Sequence, residues 1–186
     1  LENARRCDNR IVEEVILVVG YKKEMIIEKL GDKFENLNIT YIEQKHQDGT
    51  GGALLTAKDI IKDKFIVLNG DDLFHKKDIL KCLKHQYCVL GKEVDDLTRF
   101  GELIVDSEFV LKIKEKPNLD FLVSIGLYLM NKKILSLIKK DSFLDMSDLI
   151  NKLQIKKYKV GVFPIDDSSW TDVGEWNKYE QTSKSY

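Results

Sequence analysis

Two adjacent carboxylates, Asp71 and Asp72, follow the apolar run Phe65–Leu68 across the dipeptide Asn69-Gly70. Carboxylates at the carboxyl end of a buried strand can hold a hard cation, and Mg²⁺ takes one or two protein oxygens and leaves the rest to phosphate and water. A tight Asn-Gly hairpin is the competing explanation. The residues after Asp72 speak against it, because Ile79, Leu80 and Leu83 recur at helical spacing rather than in alternation. A second candidate is Gln44-Lys45-His46-Gln47-Asp48-Gly49-Thr50-Gly51-Gly52. Glycines admit a close ligand, a helix start favours an anion or a polar ring edge, and glutamine offers the edge of a nucleobase both a donor and an acceptor. The same residues also describe a glycine-rich turn capped by Thr50. The third is Glu115. Strand alternation sets Leu111, Ile113 and Glu115 on one face and Lys112, Lys114 and Lys116 on the other. A carboxylate that continues an apolar face needs a partner or a ligand, unless the strand stops ahead of Pro117. The fourth is Trp170-Thr171-Asp172-Val173-Gly174, where Asp172 is either a ligand or the cap of the following helix. His46, His75 and His85 are isolated and read as surface or loop residues.

The elements that must carry these residues alternate through the first half of the chain. Glu14–Val19 reads as a buried strand, apolar on both faces, and Lys23–Leu30 as a helix. Strand Asn38–Glu43, helix Thr50–Ile61 with Leu54, Ala57 and Ile61 on one face, strand Phe65–Leu68 and helix Lys77–Gln86 follow. Such alternation predicts an open doubly wound α/β sheet, with ligands beyond the carboxyl ends of its strands. Residues 44–52, 69–72 and 170–174 all fall there. The second half predicts added antiparallel or mixed strands at Tyr87–Val94, Gly101–Val105, Val110–Lys116 and Phe121–Met130. Helices capped by Asn131 and over Ser147–Leu153, a strand at Tyr158–Phe163 and a helix at Glu175–Gln181 complete the chain.

Composition narrows the partners. The 186 residues suit a single domain, and 30 basic against 31 acidic side chains create no field for nucleic acid or an anionic membrane. Apolar runs are too short to span a bilayer, and the charged start, Glu2 to Arg10, is no signal peptide. Cys7, Cys82 and Cys88 form no C-x-x-C pair, which argues against structural zinc and predicts free thiols in a reducing cytoplasm.

Taken in order, the segments Val19-Gly20-Tyr21, Gln44-x-x-Gln47-x-Gly49-Thr50, Leu68-Asn69-Gly70-Asp71-Asp72, Phe100-Gly101, Glu115-Lys116-Pro117, Ser124-Ile125-Gly126-Leu127-Tyr128 and Trp170-x-Asp172-Val173-Gly174 resemble the sugar-1-phosphate nucleotidyltransferase family. That family includes glucose-1-phosphate thymidylyltransferases and uridylyltransferases. The resemblance implies a Rossmann-like nucleotidyltransferase fold, an open, mixed and mostly parallel sheet with antiparallel strands added for the sugar. It implies transfer of a nucleotidyl group from a triphosphate, dTTP or UTP, to a hexose 1-phosphate with release of pyrophosphate. Gln44, Gln47, Gly49, Thr50 and Gly70 would bind the nucleotide. Gly101, Glu115 and Ser124 would line the sugar pocket, and Lys116 would approach the sugar phosphate. Asp71 and Asp172 would hold the cofactor, Mg²⁺. The resemblance is compatible with a homo-oligomer. Two departures stand out. Nothing in Leu1–Arg10 matches the family's G-x-G-T-R loop and first strand, so the chain is expected to be truncated at its start and, alone, weak in triphosphate binding. Ser124 replaces an Asn found in several members. A metal-dependent glycosyltransferase and a non-catalytic sugar-nucleotide-binding homologue are the alternatives.

Overall fold

The computed structural model describes residues 1–7, 11–94, 101–115, 121–140, 142–174 and 176–183. In chain order the elements are α1 (Glu2–Arg6), β1 (Glu14–Val19), α2 (Lys23–Leu30), β2 (Lys33–Phe34), β3 (Leu37–Glu43), α3 (Gly49–Thr56), β4 (Lys64–Leu68), β5 (Asp72–Phe74), α4 (Lys76–Cys82), β6 (Cys88–Val94), β7 (Gly101–Asp106), β8 (Phe109–Glu115), β9 (Phe121–Asn131), α5 (Met146–Ile155), β10 (Gly161–Ile165), β11 (Trp170–Asp172) and α6 (Trp176–Ser183). Short 3₁₀ turns occupy Lys132–Leu137 and Asp167–Ser169. The expected α/β architecture with open sheets is present. Two compact units divide it: Leu1–Asp63 with Lys132–Leu149, and Lys64–Asn131 with Ile150–Tyr186.

The first unit holds the sheet β1-β3-β2. β1 runs parallel to β3 from Glu14↔Asn38 to Val19↔Glu43, the crossover α2 lying between them in the chain. The expectation that β1 is buried on both faces is corrected: only Val19 is fully buried, and Glu14 to Val18 are half-buried. Among the described residues β1 pairs along one edge only, and α2 buries none of its residues completely. The apolar stripe Leu54, Ala57 and Ile61 is buried as its spacing predicts, although the regular helix stops at Thr56 and the chain continues in turns. Asn131 does not begin an α-helix. The segment after it winds as a 3₁₀ turn, burying Ile134 and Leu135.

In the second unit six strands are ordered β4-β9-β6-β10-β8-β7, with β7 also touching β9. One ladder here is parallel, β10 with β6, and the others are antiparallel, as the rapid succession of strands in the second half predicts. β9 is the longest strand, and Val123, Leu127, Leu129 and Met130 from it are wholly buried beside Val89 and Leu90 of β6. The predicted late strand is shifted to Gly161–Ile165. β8 breaks the simple alternation read from sequence: Val110 and Ile113 are buried while Leu111 is exposed. A register shift opposite Ile104/Val105 leaves Leu111 without a direct partner, which is how a bulge turns one residue out of a face. The cysteine expectation is also corrected. Cys82, at the end of α4, and Cys88, at the start of β6, are joined as a disulfide across Cα atoms 5.5 Å apart, and Cys7 is buried. His85 lies in the loop between α4 and β6, as expected, and is half-buried there, packing edge-on to Phe109 and against Phe163.

Candidate active site

β4 ends at Leu68, and the turn Asn69-Gly70-Asp71 leads into β5 rather than doubling back in a hairpin. β5 pairs instead with β11, in the register Asp72↔Asp172, Leu73↔Thr171 and Phe74↔Trp170. The amide of Val173 donates to the carbonyl of Asp71 at 2.8 Å. These backbone bonds bring the two predicted metal ligands together. A Cβ placed on Gly174 would lie 3.0 Å from Asp71 Oδ2 and 3.1 Å from Asp172 Oδ1, so both carboxylates converge on the bare face of that glycine. Asp172 Oδ1 accepts from the Gly174 amide at 2.8 Å, and Lys178 Nζ stands 3.9 Å from Oδ2. Asp172 therefore closes a local turn with Gly174. Among the described residues no group of three or more His, Cys, Asp and Glu side chains surrounds a point. Two carboxylates are nevertheless the protein share that Mg²⁺ takes when phosphate supplies the remaining oxygens, so the residues present fit that ion.

Asp72 has a different role. Its side chain is nearly buried, and its Oδ1 accepts from the Trp170 indole at 2.7 Å. It also hydrogen-bonds with the Asn69 side chain. Gly126, in the left-handed region at φ +79°, leaves the space that Asn69 and Asp72 fill: a Cβ there would lie 2.5 Å from Asp72 Oδ2. Trp170 is in turn covered by Lys92, whose Nζ is 5.1 Å from the ring and 3.4 Å from Asp167. Burial pushes the Asp72 carboxyl from 3.8 up to about 6, and the charges of Asp71 and Asp172 push the same way, against the hydrogen bonds from Trp170 and Asn69. A carboxyl that titrates higher when folded holds more protons in the folded state between those two values. Its contribution to stability is greatest at acid pH and is lost as pH rises from about 4 to about 6. Melting the Mg²⁺-free chain across this window, beside Asp72→Asn, is expected to show the difference between the two narrowing or reversing with pH. A pH-independent offset would contradict the assignment.

In the first unit β3 ends at Glu43 and delivers Gln44, whose amide continues the ladder by donating to Val19 at 2.8 Å. The Gln44 Nε2 donates to the carbonyl of Gly49 at 3.3 Å, which ties the two ends of the loop together. Gln47 is exposed. Gly49 opens α3 at φ +81°, a conformation that only glycine takes freely. Thr50 donates both its amide (3.2 Å) and its hydroxyl (3.3 Å) to Asp145 Oδ1. Gly70 meets no neighbour within 4 Å on its Cβ side, so its loop has an open face.

The sugar-pocket candidates are brought together by strand register. Gly101 of β7 lies opposite Glu115 of β8, Glu102 pairs with Val123, and Ser124 of β9 lies opposite Gly91 of β6. Ser124 Oγ donates to the Tyr128 hydroxyl at 3.0 Å, across the kink at Gly126. Lys116 lies outside the described residues.

Sequence reasoning missed Asp145, Asp72 as a clamp, and the Trp170 indole. Asp145 and Asp148 have the spacing of a helix-capping pair, and Asp145 N does donate to Asp148 Oδ2 at 3.3 Å. That pattern hides the use of the Asp145 side chain, which goes to α3.

The protein-family model described as nucleotidyl transferase matches residues 2–186. The chain is 38% identical over 184 residues to the "Bifunctional protein GlmU" of Methanocaldococcus jannaschii, covering 91% of this chain and 43% of the relative. It is 36% identical over 129 residues to the D-glycero-alpha-D-manno-heptose 1-phosphate guanylyltransferase of Campylobacter jejuni, covering 66% of this chain and 57% of the relative. Among solved structures it is similar to HddC from Yersinia pseudotuberculosis complexed with GMP-PN, at 27% identity and a TM-score of 0.75, over 99% of this chain and 83% of the other. The chain thus spans less than half the length of the first of these relatives. With the match running through the carboxylate pair and the glutamine loop alike, the chain belongs to the nucleotidyl transferase family.

Proposed function

We propose that this protein transfers a nucleotidyl group from a nucleoside triphosphate to a hexose 1-phosphate, forming a nucleoside-diphosphate sugar and pyrophosphate. The observation that carries this is the convergence of Asp71 and Asp172 at Gly174, beside a turn with an open glycine face at Gly70. The sugar phosphate oxygen attacks the α-phosphorus in line, the bond to the β-phosphate oxygen breaks, and the pyrophosphate leaves. The nucleophile is already an anion, so no strong general base is needed, and catalysis rests on positioning and charge neutralisation. Asp71 and Asp172 are the residues that would hold Mg²⁺, which supplies neutralisation of the phosphate oxygens. In this reading Gln44, Gln47, Gly49, Thr50 and Gly70 hold the nucleotide, Gly101, Glu115 and Ser124 meet the sugar, and Lys116 meets its phosphate. In this reading the protein works in the cytoplasm, where nucleoside triphosphates are abundant. Relatives named for guanylyl and uridylyl transfer make GTP, UTP and dTTP the donors to compare.

The test is Mg²⁺-dependent pyrophosphate release with those triphosphates against a series of hexose 1-phosphates, using the protein at its natural length. Release that requires both substrates is expected. Release of free nucleoside diphosphate would instead indicate glycosyl transfer, and saturable binding without turnover would indicate a binding-only protein.

A further inference from the structure

The start of α3 is already occupied from within the protein. Asp48, the residue before the helix, makes no capping bond with its side chain. The segment Leu144–Met146 does that work. Asp145 Oδ1 accepts from the Thr50 amide at 3.2 Å and from the Thr50 hydroxyl at 3.3 Å. The Leu144 carbonyl accepts from the Gly51 amide at 2.8 Å. In return Leu144 N donates to the Asp48 carbonyl at 2.9 Å, and Met146 N donates to Thr50 Oγ1 at 2.9 Å. The fit is close. A Cβ on Gly49 would come within 2.9 Å of Asp145 Oδ1, and one on Gly51 within 2.9 Å of the Leu144 carbonyl oxygen. Free amides at a helix start are the groups that ordinarily bind a phosphate. Here two of them are used, one by a carboxylate.

We propose that Asp145 is a positioning residue for nucleotide recognition. It caps α3 in place of the helix's own preceding residue, holds the Gln44–Thr50 loop in the shape that meets the base, and removes the start of α3 from phosphate binding. The inference rests on the reading above that this loop holds the nucleotide. A carboxylate bonded to both the amide and the hydroxyl of Thr50 fixes that residue's backbone and rotamer together, and the Gln44–Gly49 bond carries the constraint back along the loop. Binding then avoids the entropy of ordering the loop, which raises affinity without changing the chemical step.

Two measurements on the natural-length protein decide it. The first is amide hydrogen exchange without substrate: Asp145→Ala is expected to speed exchange at Thr50 and Gly51 while β1 and β3 keep their protection. The second is steady-state kinetics. Asp145→Ala is expected to raise KM for the triphosphate roughly tenfold, with kcat and KM for the sugar 1-phosphate within about twofold of the unaltered protein. Asp145→Asn, which keeps an acceptor oxygen, is expected to recover most of that loss. If Asp145→Ala does not fold, Asp145→Glu carries the same expectation in smaller measure. Unchanged exchange at Thr50 would overturn the latch. Faster exchange with an unchanged or lower triphosphate KM would overturn its role in recognition. If the unaltered protein shows no turnover, the proposed reaction fails separately, and equilibrium dialysis with UTP and GTP then replaces KM in the same comparison.

Discussion

Asp71→Asn is expected to slow Mg²⁺-dependent pyrophosphate release by roughly a thousandfold, and Asp172→Asn by a similar factor. Asparagine preserves the shape of each side chain and, at position 172, the acceptor for the Gly174 amide. What it removes is one of two negative charges aimed at the same point. The remaining carboxylate binds a divalent cation more weakly, so raising Mg²⁺ is expected to restore part of the rate in each single variant. Because the two carboxylates act as a unit, the double variant is expected to be little worse than the worse single one. Melting temperatures measured without Mg²⁺ should stay close to that of the unaltered chain, since neither residue is deeply buried. A rate near that of the unaltered protein in either variant would remove that carboxylate from the site.

The second large effect is expected at a residue with no side chain. Gly126→Ala would hold alanine at φ +79° and press its methyl group into the Asn69 amide and the Asp72 carboxylate. Left-handed backbone and overpacking together predict a loss of about 2–4 kcal/mol in unfolding free energy, measurable by urea denaturation. Activity is expected to fall further than stability alone accounts for, because the displaced turn Asn69–Asp72 carries Asp71. Gly70→Ala is the control. Its Cβ would meet nothing within 4 Å, so its stability is expected to change by less than about 0.5 kcal/mol. Equal losses in the two variants would show that the space beside Gly126 is not what the fold requires.

The contrast between those two glycines shows what was and was not legible in the sequence. Strands and helices were readable because each is announced locally: Val15–Val19 by a continuous apolar run, α2 by its spacing, and the buried stripe that starts on α3 and continues past it by Leu54, Ala57 and Ile61. The order of motifs led to the carboxylates and the glutamine loop for the same reason. Asp145 was not readable, since its bonds to Thr50 join residues 95 positions apart and its own neighbourhood reads as an ordinary helix cap. The clamp of Trp170 on Asp72 spans 98 positions and was equally silent. Leu111 was misassigned because one bulge shifts every later residue of a strand to the other face, and nothing in the residue types marks where it falls. Half-burial of β1 was missed because apolarity shows what a strand can bury, not what its neighbours cover.

Those long spans also set a timetable. A ribosome adds about 5–20 residues each second, so the loop at Asp48–Thr50 waits some seconds after its own synthesis before Asp145 reaches it. Asp72 waits as long for Trp170, and β4 and β6 wait a shorter time for β9. Until then the emerging chain carries apolar strands that lack their partners, and helices of seven or eight residues such as α2, α3 and α4 are too short to stand alone. The candidate site at Asp71 and Asp72 is therefore completed only once residues 170–173 have emerged.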